Sequence, residues 1–294
     1  AYFKRLKKAG FTEQMLSSDL QIPTLQIENI NDIAVSTSLG EIALRLSIQD
    51  SLHFIDRINV WINDVAVYGT QGISIREKMV KSYSTEIQVP LAFGKNKVQI
   101  SVLNSAGVES YKEEFEITST AGKSIPDLYI VSIGVSNYKD ERYKLTYASK
   151  DAIDMSAAFQ KNKFYTNVFT KTITDDKVVI ENLAELKSFL APADINDQVI
   201  LFVAGHGVLD VNFDYYFASY DMDFQNPAAR GIPYEAIEGL LDGIKPLKKL
   251  LFMDTCHSGE VDKDEIQISD TETESENDIT FRNVGVAVEN KENQ

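Results

Sequence analysis

Two short apolar runs, each ending in small or polar residues, constrain this chain more than any other feature. They are Gln198–Gly207, with the sequence QVILFVAGHG, and Lys249–Gly259, with the sequence KLLFMDTCHSG. Unbroken apolar runs of this length are typical of strands that are buried on both faces of a parallel sheet. Each run ends in a reactive side chain: His206 lies between two glycines, and Cys256 follows Asp254 closely. The runs therefore predict two buried strands with a histidine and a cysteine at their carboxyl ends.

The positions of these two side chains indicate a chemistry. Ligands bind to an open α/β sheet outside the carboxyl ends of its parallel strands. If the two runs are neighbouring strands, the imidazole of His206 and the thiol of Cys256 emerge at the same edge and can meet. Such a pair makes a nucleophile and the base that activates it. His206 precedes Cys256 by 50 residues, which is close to the histidine-to-cysteine distance in caspases.

These motifs resemble those of the caspase and metacaspase peptidases. The resemblance rests on Gly-His-Gly at the end of one strand and Asp-Thr-Cys-His-Ser-Gly at the end of the next. An earlier apolar run, Leu128–Val135, and the segment Ala148–Asp154 fit the same pattern. The layout, with a strand-rich segment ahead of the peptidase region, is similar to bacterial caspase-like proteins that often carry WD-repeat domains upstream. The resemblance covers about residues 20–259.

Charge and composition disfavour several classes of protein. The net charge of −15 argues against nucleic acid as a partner, because that binding depends on Lys and Arg neutralising phosphates. No apolar run approaches the roughly 18 residues that a membrane span requires, and no secretory signal opens the sequence. The single cysteine fits a reducing compartment. We therefore predict a cytoplasmic protein that binds neither nucleic acid nor membrane. Because the sequence begins at Ala1 without Met, an upstream domain is also expected.

The first part of the chain changes character at about residue 21. Residues 1–20 are predicted to form a linker or a short helical segment. From 21 to 120 apolar residues recur with a period of two, as in Ile42, Leu44, Leu46 and Ile48. Such alternation, interrupted by turn residues, predicts about seven short antiparallel strands. That number of strands in a domain of this length favours an immunoglobulin-like β-sandwich.

Strand and helix patterns alternate through the next segment, 121–259. We predict strands at 128–135, 164–171, 198–204 and 248–254, helices at about 148–160, 177–190 and 234–242, and a small hairpin at 215–219. This alternation favours a parallel sheet with helices on both faces. The caspase resemblance implies that the four strands lie in the order 2-1-3-4, which periodicity alone does not supply.

The resemblance assigns roles to the two reactive residues. Cys256 is predicted to be the nucleophile, and His206 the base that ionises its thiol and later protonates the leaving amine. The backbone N–H groups of Gly207 and Cys256 are candidates for an oxyanion hole. His257 is assigned to the loop after the strand and not to the base. The resemblance implies a Cys–His dyad without a third catalytic side chain.

The same residues have other interpretations. A lone buried cysteine is often inert packing, so the chain could be an inactive caspase-like interaction scaffold. A phosphatase loop needs an arginine six residues after its cysteine, and that position is Asp262. A zinc site made from Cys256, His257, His206 and Asp254 lacks the paired ligand spacing of known sites, so we predict no metal at this position.

Two acidic residues are candidates for substrate recognition. In metacaspases, an aspartate two residues before the cysteine and another at the start of the first helix line the pocket for the residue before the cut. The matching positions here are Asp254 and Asp151. Carboxylates in a half-buried pocket favour Arg or Lys through charge-assisted hydrogen bonds. Asp151 also has a structural interpretation, because an acidic residue at a helix start is stabilised by the helix dipole.

The remaining segment, 260–294, carries 11 acidic and 3 basic residues, and it is expected to be a flexible inter-subunit tail. The caspase resemblance implies two further strands beyond it. We therefore expect self-processing and a carboxyl-terminal small subunit of the same precursor as partner, besides the peptide substrate. No cofactor is predicted, although Glu260, Asp262, Asp264 and Glu265 could bind Ca²⁺ or simply form a solvated acidic run.

Overall fold

The computed structural model describes residues 10–12, 21–122, 125–160 and 162–257, and for 256 and 257 the backbone alone. Within these residues the chain has a strand-rich amino-terminal region and a mixed α/β region. The predicted tail at 260–294 and most of the predicted linker at 1–20 lie outside the described residues.

The amino-terminal region consists of strands in two sheets. The strands described are β1 (Thr24–Ile27), β2 (Ser36–Thr37), β3 (Glu41–Gln49), β4 (Ile55–Ile62), β5 (Val65–Ala66), β6 (Ile73–Ser74), β7 (Ser82–Pro90), β8 (Gly94–Asn104) and β9 (Glu113–Ser119). One sheet has the order β1-β3-β7, and the other has the order β2-β9-β8-β4-β5 with β6 beside β4. The long strands pair antiparallel, whereas β2 pairs parallel with β9. The predicted strand-rich region is confirmed.

Alternation along these strands builds the core of the region. In β3, Leu44, Leu46 and Ile48 are fully buried, while Arg45 between them is exposed. Residues of β4 and β8 with the same period join them in one cluster. Burying each such side chain stabilises the fold by about 1.5–3 kcal/mol. From the predicted linker, Phe11 is also buried, with its ring 5.3 Å from the guanidinium carbon of Arg57.

The second region is built around a six-stranded sheet. Its strands are β10 (Leu128–Gly134), β11 (Val168–Thr174), β12 (Gln198–Leu209), β13 (Tyr215–Phe217), β14 (Ile232–Pro233) and β15 (Lys248–His257). The order β11-β10-β12, with β15 on the other side of β12, joins four parallel strands. This is the order 2-1-3-4 that the resemblance implies. The sheet is nevertheless mixed rather than purely parallel, because β13 pairs antiparallel with both β12 and β14.

Few helices accompany this sheet. The described α-helices are α1 (Ala148–Gln160), α2 (Leu183–Leu190), α3 (Pro227–Arg230) and α4 (Tyr234–Leu241). Side chains alternate along a strand, so β10 contributes to two clusters. Leu128 and Ile130 pack with Phe159 of α1, whereas Val131 packs with Leu186 of α2 and Ile237 of α4 within the larger core.

The second predicted helix begins later than the pattern suggested. In place of a helix from 177, the chain has 3₁₀ turns at Asp175–Lys177 and Ile180–Asn182 before α2 begins. Val178, Val179 and Ile180 are β-branched, which lowers helix propensity. Val178 is fully buried, and its carbonyl accepts a hydrogen bond from the N–H of Tyr220 at 2.9 Å. Tertiary contacts therefore override the helical pattern in this segment.

Strands β12 and β15 are longer than predicted. β12 continues to Leu209 because its last three residues pair with β13. β15 continues to His257 because it keeps pairing with β12 as far as Gly207. His206 and Cys256 consequently lie inside paired strands and not in loops after them, and His257 belongs to the strand as well.

Gly134, the last residue of β10, leaves room for the start of α1. A Cβ at this position would overlap the carbonyl oxygen of Ala148 and lie 2.8 Å from Cβ of Ala152. Since the first of these atoms is helix backbone, Gly134→Ala has to push α1 away from the sheet. Overpacking of this kind costs about 1–3 kcal/mol, and we expect the upper end of that range in the free energy of unfolding measured with urea.

Gly239 in α4 provides the matched control for this substitution. A Cβ there meets nothing within 4 Å. We expect Gly239→Ala to stabilise the protein by about 0.5–1 kcal/mol, because alanine has the higher helix propensity. If both variants unfold at the same urea concentration as the parent protein, the prediction that α1 packs too closely on β10 for a side chain at position 134 is wrong.

Candidate active site

The register of two neighbouring strands brings the predicted catalytic residues together. β12 and β15 are parallel, and His206 and Cys256 are Cα partners in that pairing. The next pair along is Gly207 and His257. Neighbouring strands lie about 4.8 Å apart, so the two residues are placed side by side by backbone hydrogen bonding alone.

His206 is held through both its backbone and its ring. Its backbone N–H donates to the hydroxyl oxygen of Tyr138 at 2.9 Å. Its Nε2 lies 3.0 Å from the carbonyl oxygen of Tyr143. A carbonyl can only accept, so Nε2 carries a proton, and in the neutral ring Nδ1 is then the nitrogen that can accept one. The contact thereby selects the tautomer and the orientation of the imidazole.

Aromatic rings enclose the histidine. The ring centroids of Tyr138, Tyr143 and Phe224 lie 5.3, 6.3 and 5.9 Å from that of His206. Tyr143 and Phe224 stack at 3.6 Å with nearly parallel planes. Burial among these groups lowers the pKa of His206 by desolvating its charged form, while the Tyr143 carbonyl acts in the opposite direction. The net effect favours a neutral imidazole, which is the form that can act as a base.

The glycines that flank His206 have packing roles. Gly205 has φ of 152°, and a Cβ there would lie 2.9 Å from the Tyr138 hydroxyl and 3.0 Å from the Phe217 ring. At Gly207 a Cβ would lie 2.7 Å from ring atoms of Tyr215. Both glycines therefore allow a tyrosine to pack directly against β12. The predicted contribution of the Gly207 N–H to an oxyanion hole stays a prediction.

Tyr215 links the hairpin strand to the strand of the cysteine. Its hydroxyl lies 2.6 Å from the hydroxyl of Thr255, the residue before Cys256. The ring thus crosses β12 at Gly207 and contacts β15 beyond it. The contact of this tyrosine could not be predicted from the sequence, because side chains 40 residues apart leave no local pattern.

The two predicted recognition residues lie on different elements. Asp254 is exposed on β15, where its Cα partner on β12 is Ala204. Asp151 is half-buried in the first turn of α1, and its N–H donates to the carbonyl of Tyr147 at 2.8 Å. The dipole interpretation of Asp151 fits this position. A shared pocket formed by the two carboxylates stays a prediction.

The described side chains and helices bear on binding to metal ions and to membranes. In the part of the chain that the structure describes, no group of three or more His, Cys, Asp or Glu side chains is arranged to hold a metal ion. The acidic cluster of Glu260, Asp262, Asp264 and Glu265 lies outside that part. None of the described helices is both long and apolar enough to cross a membrane.

Several solved structures are similar to parts of this chain. Fibronectin(III)-like modules of CbhA from Clostridium thermocellum are 9% identical, with a TM-score of 0.26, over 34% of this chain and 48% of theirs. The SrpA adhesin from Streptococcus sanguinis is 14% identical, with a TM-score of 0.25, over 50% of this chain and 78% of its own. The chain spans about half the length of the CbhA modules that it matches. No curated protein matches the chain.

The family comparison concerns the second region. The model of the caspase domain of peptidase family C14 matches residues 129–292, which is more than half of the chain. The match includes both neighbouring strands, β12 and β15, and the paired residues His206 and Cys256. Peptidases of this family are hydrolases that use a cysteine. The chain belongs to the caspase domain family of cysteine peptidases.

Proposed function

We propose that this chain carries the catalytic residues of a caspase-like cysteine endopeptidase, with Cys256 as nucleophile and His206 as base, which cleaves after Arg or Lys. The observation that carries the proposal is the pairing of His206 with Cys256 on adjacent parallel strands, inside the region that matches the caspase domain. A base and a nucleophile at paired positions of neighbouring strands can exchange a proton in a peptide-cleaving reaction.

The proposed reaction begins with proton transfer from the thiol to Nδ1 of His206, because Nε2 is engaged with the Tyr143 carbonyl. The thiolate then attacks the scissile carbonyl carbon, and the imidazolium donates its proton to the leaving amine. Water, deprotonated by the same imidazole, releases the acyl group from the thioester. The N–H groups of Gly207 and Cys256 are proposed to stabilise the oxyanion. The Tyr143 carbonyl would stabilise the imidazolium by accepting from Nε2.

Specificity for basic residues is proposed to depend on Asp254, with a smaller contribution from Asp151. Asp254 is exposed and lies two residues before the nucleophile on β15. A carboxylate this close to the site of cleavage can bind the guanidinium or ammonium of the residue before the cut by charge-assisted hydrogen bonds. Both roles are inferred from the resemblance to metacaspases.

Further parts of the proposal rest on the patterns of the sequence and on the family resemblance. We propose helices on both faces of the sheet and an immunoglobulin-like fold for the two strand-rich sheets ahead of it. Self-processing, a small subunit from the same precursor as partner, and a bacterial, cytoplasmic setting belong to the same proposal. At Glu260, Asp262, Asp264 and Glu265 the proposal includes Ca²⁺ binding, with a solvated acidic run as the alternative.

Alkylation of the only cysteine tests the proposal directly. A free thiol has a pKa of about 8.5 and is only slightly ionised at neutral pH. If His206 ionises Cys256, iodoacetamide should label the native protein at pH 7 about tenfold faster than the same protein in guanidinium chloride. Intact-mass spectrometry follows the reaction, and the denatured chain serves as the matched free cysteine.

A second arm separates activation by the base from simple exposure of the thiol. His206→Gln should label no faster in the native state than in guanidinium chloride, since the proton acceptor is lost. Native labelling of the parent protein at the denatured rate would count against an enzyme and favour the inactive interaction scaffold.

A further inference from the structure

A polar cluster beside the proposed active site has no role in the mechanism given above. Its centre is Asp175, the residue that follows β11, whose φ of 51° lies in the left-handed region. Its Oδ1 accepts hydrogen bonds from the N–H of Ser136 at 2.9 Å, the N–H of Asn137 at 2.8 Å and the hydroxyl of Ser149 at 2.7 Å. Its Oδ2 accepts from the side-chain amide of Asn137 at 3.2 Å. One carboxylate at the end of β11 thus joins two other segments of the chain, the loop after β10 and the start of α1.

The segments that Asp175 joins lie at the same edge of the sheet. Ser136 and Asn137 begin the loop after β10, and Ser149 lies in the first turn of α1. A reciprocal pair of bonds closes the loop, because the N–H of Ser136 also donates to the Ser149 hydroxyl and the N–H of Ser149 donates to the Ser136 hydroxyl. These bonds hold the two ends of the loop at 136–147 together. Asp175 accepts hydrogen bonds from Ser136 at one end and from Ser149 just beyond the other.

That loop supplies both contacts that hold His206. The Tyr138 hydroxyl accepts from the backbone N–H of His206, and the Tyr143 carbonyl lies against its Nε2. Tyr138 and Tyr143 also provide two of the three rings that enclose the imidazole. Displacing the loop would consequently change the orientation and the burial of His206 together.

The chemistry of the cluster favours a charged carboxylate. Partial burial acts to raise the pKa of Asp175, but bonds from the Asn137 N–H, the Ser149 hydroxyl and the Ser136 N–H outweigh it and hold the pKa below its ordinary value. An ionised carboxylate makes stronger hydrogen bonds than a neutral acceptor. Burial raises the pKa of the nearby Tyr138 hydroxyl, and the negative charge of Asp175 raises it further. The hydroxyl therefore stays protonated.

We propose that Asp175 is a positioning residue for His206, acting by anchoring the loop at 136–147 that carries Tyr138 and Tyr143. This inference rests on the proposed function, in which His206 is the base. Asp175 does not touch the reacting atoms in this scheme. It keeps the imidazole in the orientation in which Nε2 faces the Tyr143 carbonyl and Nδ1 is the proton acceptor.

Two substitutions at Asp175 are expected to separate its effects. Asp175→Ala removes both carboxylate oxygens from the cluster, and we expect kcat for a peptide substrate to fall about tenfold or more with little change in KM, since the base is misplaced. Asp175→Asn keeps one oxygen that can accept from the three donors of Oδ1 and tolerates positive φ, so its kcat should stay within about threefold of the parent. Asp176→Ala, which removes an exposed carboxylate one residue away, is the matched control and should leave kcat unchanged.

A readout other than activity distinguishes positioning from general stability. The imidazole of His206 can be titrated by NMR, with His206→Gln assigning its signal among the three histidines. In Asp175→Ala the pKa of His206 should rise towards its ordinary value of about 6.5, because the aromatic enclosure loosens. The titration in Asp175→Asn and Asp176→Ala should match the parent.

Each outcome bears on one of the two proposals. If Asp175→Ala folds and both kcat and the His206 titration are unchanged, the positioning role is wrong. If His206→Ala keeps full peptidase activity, the proposed function fails, yet the titration still decides whether Asp175 controls the histidine. Should Asp175→Ala not fold, Ser149→Ala removes the hydroxyl that donates to Asp175 and to the Gly134 carbonyl and accepts from the Ser136 N–H. Because the Asp175 carboxylate keeps its other donors, this variant is expected to lower kcat about threefold with the same direction of change in the His206 pKa. An unchanged titration in that variant would also refute the proposal.

Discussion

Replacing His206 with alanine is expected to lower kcat/KM by about 10³-fold or more, because the thiol loses the group that ionises it and the amine loses its proton donor. Cys256→Ala should be at least as severe. The two changes together should cost little more than either alone, since nucleophile and base act as one unit. Purified variants assayed with a peptide that carries Arg before the cut measure the loss, and circular dichroism checks that each variant is folded.

Replacing each of the other two histidines tests whether the loss of activity is specific to His206. His53 lies in the strand-rich region near Asp50, whose side chain accepts from its backbone N–H, and His53→Ala should retain full activity. His257 follows Cys256 directly in β15, and its replacement tests whether the base has been correctly assigned. If His257→Ala abolished cleavage while His206→Ala did not, the assignment of the base would have to be exchanged.

Replacing Asp254 with asparagine is expected to lower kcat/KM for Arg and Lys substrates by about 10- to 100-fold, which corresponds to the loss of one charge-assisted hydrogen bond worth about 1.5–3 kcal/mol. The shape of the side chain is kept, so peptides with uncharged residues before the cut should be affected much less. A peptide library that varies this residue measures the change in preference. The expected signature is a selective loss of cleavage after basic residues.

Asp151→Asn provides the comparison within the same proposed pocket. If both carboxylates contact the substrate, Asp151→Asn should also reduce cleavage after Arg, although less than Asp254→Asn. If Asp151 only stabilises the start of α1, the substitution should change the free energy of unfolding by about 0.3–1 kcal/mol and leave specificity intact. The pocket assignment is wrong if the library shows a preference for Asp before the cut. It is also wrong if Asp254→Asn leaves the preference for basic residues unchanged.

Much of this architecture could be predicted from local sequence patterns. Helix α1 has the bounds expected from its sequence, and β10 and β12 begin where their apolar runs begin. Such runs are informative because a strand buried on both faces must be apolar at nearly every position. The strand-rich region could be predicted as well, since a strand with one buried face has apolar side chains at every second position. The order of the strands was not readable from these patterns and came from the family resemblance.

The bounds of several elements depended on pairing that local patterns do not encode. β12 extends past His206 because β13 returns to pair with it. β11 starts at Val168, later than its apolar pattern suggested, after a turn in which the Asn162 side chain accepts from the N–H of Phe164 at 2.8 Å. Strand ends are set by which backbone groups find partners, and those partners come from distant parts of the chain.

The sequence by itself predicted His206 and Cys256 as the reactive pair and determined the strands that carry them, because small residues at the ends of buried strands are a local signal. Only the tertiary structure decided how the histidine is held. The Tyr143 carbonyl lies 63 residues from His206 in sequence, and the Tyr138 hydroxyl lies 68 residues away. A backbone carbonyl has no side-chain signature, since every residue carries one. Asp175 likewise reads as an ordinary loop aspartate until the fold brings Ser136, Asn137 and Ser149 to its carboxylate.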